Sequence, residues 1–177
     1  ALRESALTTL SRVKVELSIA TSATAYDSYL EGLIEEASDA IRDITGRTFH
    51  YGAGIVEKVR GYGTTTILVS RTPIIAITTI KIDDAVVDST EYTFEADSGV
   101  IYRSVGWPWS VQQVVGVTRD AYPGSEERNI EVTYTGGCVT PTQVTAQLTR
   151  TLPYSLERLC VPAVVSWYRN RGGDEAI

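Results

Sequence analysis

The chain has 177 residues, 43% apolar and 21% charged, with a net charge of −6 and an isoelectric point near 4.8. That length and apolar share suit one domain, or one domain carrying a sizeable insertion, with a substantial core. They leave no room for a membrane-spanning helix, because no apolar run approaches the necessary ~20 residues. The acidic balance argues against gripping a phosphate backbone, which needs several lysines or arginines to displace counterions.

An acidic wall that surrounds a duplex without holding it stays compatible with this charge, as does an ordinary solubilising surface. The N-terminus lacks a basic-then-apolar signal pattern, so the chain is expected to stay in the compartment where it is made. Cys138 and Cys160 have no metal-like spacing and read as buried thiols.

Residues 1–6 carry no pattern and are expected to form a loose tail. A short helix follows from Thr8 or Thr9, with Leu10, Val13 and Leu17 as its apolar stripe and Arg12, Lys14 and Glu16 outside it. The clearest helix spans residues 24–46. Tyr26, Leu30, Leu33, Ile34, Ala37, Ile41 and Ile44 line one face, and Glu31, Glu35, Glu36, Asp39, Arg42 and Asp43 fall largely on the other. Thr24 and Asp27 are spaced as a capping box, and Gly46 suits the left-handed position past a helix end. The small-residue connection over 19–23 predicts that the two helices are neighbours.

From residue 55 to 135 the period changes to that of strands. Segments 56–62, 64–69, 74–82, 86–87, 92–95, 100–102 and 130–135 are β-branched or alternating, with turns at Thr72-Pro73, Asp83-Asp84 and Asp97-Ser98-Gly99 between them. About six or seven short strands at this spacing predict a small antiparallel sandwich or barrel-like module. In the last strand Ile130, Val132 and Tyr134 share a face. Residues 105–128 are irregular and hold two loop signals, Gly106-Trp107-Pro108-Trp109 and Tyr122-Pro123-Gly124.

Residues 140–150 read as a loop or arm, and a last helix begins at Leu152-Pro153-Tyr154-Ser155. Its apolar face is Leu156, Leu159, Cys160, Ala163, Val164, Trp167 and Tyr168, with Glu157 and Arg158 elsewhere. Pro162 predicts a kink or a helix in two pieces, and Gly172-Gly173 ends it. The fold class is therefore α+β. A helical part over 1–51 and a closing arm and helix over 138–177 should pack on each other, with an inserted β module over 52–137.

No catalytic set emerges, and no cofactor or metal site is assigned. His50, the single histidine, has no evident catalytic partner. Asp83, Asp84, Asp88 and Glu91 could offer oxygens to a hard cation, but their spacing is not that of an EF-hand, and a solvated turn accounts for them. There is no phosphate loop and no Gly-x-Ser-x-Gly elbow. Trp107 and Trp109 are either an exposed stacking platform or interface anchor, or a lid folded onto the β module. The first option leaves open a carbohydrate-binding module that stacks sugar rings on the tryptophans, and the acidic turn leaves open a metal-dependent hydrolase.

The order of the terminal motifs resembles the head–tail connector (adaptor) proteins of tailed bacteriophages, in the longer branch with an inserted β module. The motifs are the long helix leaving through Thr45-Gly46-Arg47-Thr48-Phe49, the strand ending Tyr134-Thr135-Gly136-Gly137, and the helix running from Leu152-Pro153-Tyr154-Ser155-Leu156 to Trp167-Tyr168-Arg169-Asn170-Arg171. The resemblance implies a non-enzymatic virion protein of the neck, assembled in the host cytoplasm. It implies a homo-oligomeric ring, commonly dodecameric, beneath the portal protein. Such a ring extends the channel for passing double-stranded DNA and carries a downstream neck or tail completion protein, with no membrane partner. In that setting Arg169, Asn170, Arg171, Gly172 and Gly173 are the candidates for portal contact, and Trp107 and Trp109 for contact with neighbours or the tail side.

Overall fold

The long helix forms where its apolar period predicts, a little shorter than the sequence pattern. In the computed structural model, which describes residues 1–108 and 128–171, it is α2 (Asp27–Thr45), preceded by α1 (Leu10–Glu16). Gly46 ends α2 with a φ of 63°, the left-handed geometry that glycine adopts without a Cβ clash. The start differs from the expected capping box. Tyr26 is the N-cap and supplies no side-chain bond, and the Asp27 carboxylate instead faces the Lys14 ammonium at 2.5 Å. A full opposite charge outcompetes a backbone N–H for a carboxylate.

Lys14 is only 3% exposed, contrary to its expected outward position on α1. Its ammonium also donates to the carbonyls of Thr21 (3.2 Å) and Ala23 (2.8 Å), so it ties the turn between α1 and α2. The N-terminal segment is likewise packed rather than loose. Ala6 and Leu7 are buried, the Leu7 amide donates to Ser38 Oγ at 3.0 Å, and Arg3 pairs with Glu35 and Asp39.

α3 (Tyr154–Asn170) runs unbroken through Pro162, so the helix is not in two pieces. Proline has no N–H to give the Arg158 carbonyl, and the rest of the hydrogen-bond ladder carries the helix across the gap. The buried set on α3 is Glu157, Cys160, Val161, Val164 and Val165, while Leu159 (62% exposed) and Trp167 (40%) lie off it. The expected stripe was too far round the helix because α3 meets α1 as well as α2.

These helices share one core that includes Val13, Leu30, Leu33, Ile34, Ala37, Cys160 and Val164. Residues 138–151 hold no regular element, but their first half is fastened down and is not a free arm. Thr140 Oγ1 donates to the Glu4 carbonyl at 2.8 Å, and the Gln143 amide exchanges bonds with the Tyr51 backbone at 2.9 and 3.1 Å. These parts form one unit, Ala1–Tyr51 with Cys138–Ile177.

The second unit is Gly52–Gly137. Its strands are β1 (Gly52–Val59), β2 (Thr66–Leu68), β3 (Ile74–Ile82), β4 (Ala85–Val86), β5 (Tyr92–Glu95), β6 (Val100–Arg103) and β7 (Ile130–Gly136). They make two antiparallel sheets, ordered β1-β7-β3-β4 and β2-β6-β5, and neither closes into a barrel. β7 lies between β1 and β3 and alternates buried and half-buried residues, as its two-residue period requires. Ile67 and Ile101 of the smaller sheet and Ile80, Ile130, Val132 and Tyr134 of the larger one belong to a single buried cluster. The two-residue turn between β3 and β4 puts Asp83 and Asp84 at φ of 49° and 67°, a primed hairpin turn that aspartate tolerates.

Candidate interaction surfaces

The end of α3 is held by an aromatic cage. The Arg171 guanidinium lies 3.6 Å from the ring centre of Tyr168, 4.9 Å from Tyr26 and 5.8 Å from Tyr29. Tyr26 and Tyr168 meet edge to face at 6.1 Å. A guanidinium over ring faces is attracted by their negative quadrupoles, so Arg171 is tied to the first turn of α2. Arg169 and Asn170, just before it, stay exposed, with Asn170 Nδ2 donating to Ser166 Oγ at 3.4 Å. Gly172 and Gly173 lie outside the described residues.

Arg169 and Asn170 also form one end of a groove of about 1010 Å³ between α1 and α3. Four arginines line it, Arg12, Arg150, Arg158 and Arg169, against Glu16 and Glu157. Beneath it Glu157, only 7% exposed, is held by two groups. Thr8 Oγ1 donates to one carboxylate oxygen at 3.0 Å and Arg150 Nη1 to the other at 2.7 Å. Arg150 also covers the Tyr154 ring at 4.0 Å and donates from Nε to the Leu152 carbonyl. This network fixes the spacing of α1 from α3. The sequence offered no sign of it, since Thr8 and Glu157 are 149 positions apart.

Trp107 is not an exposed platform. Its side chain is fully buried in the β-unit core, its amide donates to the Thr64 carbonyl at 2.7 Å, and Arg103 sits 5.7 Å from its ring centre. Sugar stacking on this ring is thereby ruled out in this state. Trp109 lies outside the described residues, as does the Tyr122-Pro123-Gly124 turn. A shallower groove of about 530 Å³ passes over Trp107, walled by Val86, Val105 and Pro108, of which Val86 and Val105 are exposed.

The acidic residues near the β3–β4 turn do separate jobs. Asp88 accepts bonds from the Thr90 amide (2.9 Å) and hydroxyl (2.8 Å), which hold its carboxyl below the usual range, and Glu91 pairs with Arg103 at 2.5 Å. Among the described residues no group of three or more His, Cys, Asp or Glu is arranged to hold a metal ion. His50 forms an isolated parallel bridge with Cys138. Both cysteines are buried and free, and burial pushes the Cys160 thiol up to about 11, which keeps it protonated and unreactive at neutral pH. Among the described residues no helix is long and apolar enough to cross a membrane.

Comparison with solved structures finds a chain in the neck of an empty gene transfer agent particle solved with C6 symmetry. It aligns over 93% of this chain and 79% of its own, with a TM-score of 0.59 and 14% identity, a likeness of fold. No curated protein matches the sequence. The family model described as phage gp6-like head-tail connector protein matches residues 7–93, from the start of α1 into β5. Residues 7–93 are thus similar to the phage gp6-like head-tail connector proteins.

Proposed function

We propose that the protein is a structural component of a virion neck, whose copies form a ring beneath the portal, extend the DNA channel and carry the next neck or tail protein. The observation that supports this most is the family match, joined to a fold shared along 93% of the chain with a protein of a six-fold symmetric neck. Six-fold symmetry suits a ring of twelve. The net charge of −6 suits a wall past which double-stranded DNA slides without adhering. The role is one of contact rather than catalysis, and assembly takes place in the host cytoplasm.

Within this reading the end of α3 supplies the portal contact. Arg169 and Asn170 are exposed there, and Arg171, which precedes Gly172 and Gly173 in the sequence, is held in its tyrosine cage. The β unit supplies contact with neighbours or the tail side through Trp109 and the exposed Val86 and Val105, with Trp107 as the floor beneath them.

Native mass spectrometry of the full chain, alone and mixed with portal rings of the same virus, tests the role. A closed ring, or many copies recruited to a portal, is the expected result. A monomer that ignores portals would overturn it. Removing residues 172–177 should abolish portal recruitment, and unchanged recruitment would move the contact elsewhere.

A further inference from the structure

The helical unit carries two surfaces of opposite charge that do not neutralise each other within the subunit. On α2, Arg3 covers the side bearing Glu35 and Asp39. The strip beside it, Gly32, Glu36 and Asp43, faces solvent: Asp43, 72% exposed, shares Arg42 with Asp39 through contacts of 3.2 and 2.8 Å, and Glu36 has no charged partner among the described residues. These positions are four and seven residues apart and so share a face. A Cβ built on Gly32 would meet nothing within 4 Å. A glycine inside an exposed helix costs stability, and no contact within the subunit requires it. It does leave the strip flat enough for another backbone to approach closely.

On the other surface, the groove between α1 and α3 holds Arg158 and Arg169 without a carboxylate partner among the described residues, and Arg12 only 3.8 Å from Glu16.

We propose that this arginine-lined groove of one copy receives the open acidic strip of α2 from the next copy. The complementary surfaces lie on different helices, so the contact is head-to-tail. Such an interface propagates around a ring instead of closing a pair. The inference rests on the ring reading above and names its interface. Charge pairing at the contact also makes association fall as salt rises.

The test uses the full chain in two charge-reversed forms, Arg12→Glu with Arg158→Glu, and Glu36→Lys with Asp43→Lys. All four side chains are exposed, so folding, followed by circular dichroism, should be unchanged. Each form should associate at least tenfold more weakly than the wild type, by native mass spectrometry alone or in copies recruited to portal rings. The chain carrying all four changes should recover assembly. Gly32→Trp should block assembly without unfolding the helix.

Assembly by the two-residue forms at wild-type strength would overturn the interface while leaving the ring in place. Loss in the groove form alone, with no recovery in the four-residue form, would also overturn it, by assigning the groove to a different partner. A wild type that never associates would instead refute the ring reading, and the interface with it.

Discussion

Replacing Glu157 with alanine removes the group that sets α1 against α3. The carboxylate is 10% exposed at its side chain and its Arg150 partner 19%, so both charges are largely out of water. Breaking a buried pair from one side costs about 3–5 kcal/mol, because the remaining charge is stranded. Here the stranding is partial. Arg150 keeps the Tyr154 ring at 4.0 Å and the Leu152 carbonyl at 3.2 Å, which puts its share near the low end. Thr8, with no exposed surface, loses its acceptor, which adds about 1 kcal/mol.

The expected total is about 3–4 kcal/mol. Urea unfolding followed by far-ultraviolet circular dichroism measures it. Among the described residues all three α-helices belong to one unit, so that signal reports the unit in question. A double-mutant cycle with Arg150→Ala should return a coupling of at least ~1 kcal/mol. Loss of under 1 kcal/mol, with no coupling, would refute the account of Glu157 as the buried tie between these helices.

Three further outcomes follow from the same coordinates. Lys14→Met should cost about 2–3 kcal/mol, since it leaves Asp27 and the carbonyls of Thr21 and Ala23 without their donor; a neutral result in the same urea assay would contradict it. Burial first, and then the bond its hydroxyl donates to Glu57 at 2.8 Å, push Tyr134 up to about 12. Stability from this group is therefore complete below pH ~10 and lost as pH rises toward 12, by about 2–3 kcal/mol. Tyr134→Phe should flatten that alkaline loss in a series of unfolding curves. Gly61→Ala should destabilise the β unit by about 2–3 kcal/mol, because a Cβ there would overlap the Pro108 carbonyl; thermal unfolding at the wild-type temperature would show the segment can yield.

The helices and strands were legible in the sequence because their signals are local. The apolar period of residues 30–41, Gly46 at a helix end, the β-branched run over 74–82 and the alternation of 130–135 each act within a few neighbours. An α+β chain follows from them, and so does the order of motifs that resembles the connector proteins. What the sequence could not show are the polar groups whose partners are distant along the chain. Lys14 looked exposed beside its helical stripe, yet the Asp27 carboxylate and two carbonyls hold it inside.

Glu157 looked solvent-facing, yet Thr8 and Arg150 make its burial tolerable. Trp107, in a Pro-flanked loop, read equally as an exposed platform or as a lid folded onto the β module, and only the folded chain decides, placing its side chain in the core that the two sheets share. The stripe on α3 was misplaced for a related reason, because a helix touched from two sides buries a wider and rotated face. Burial of a charged or aromatic side chain depends on which groups arrive around it, and that arrival is a property of the folded chain, where sequence separation no longer measures distance.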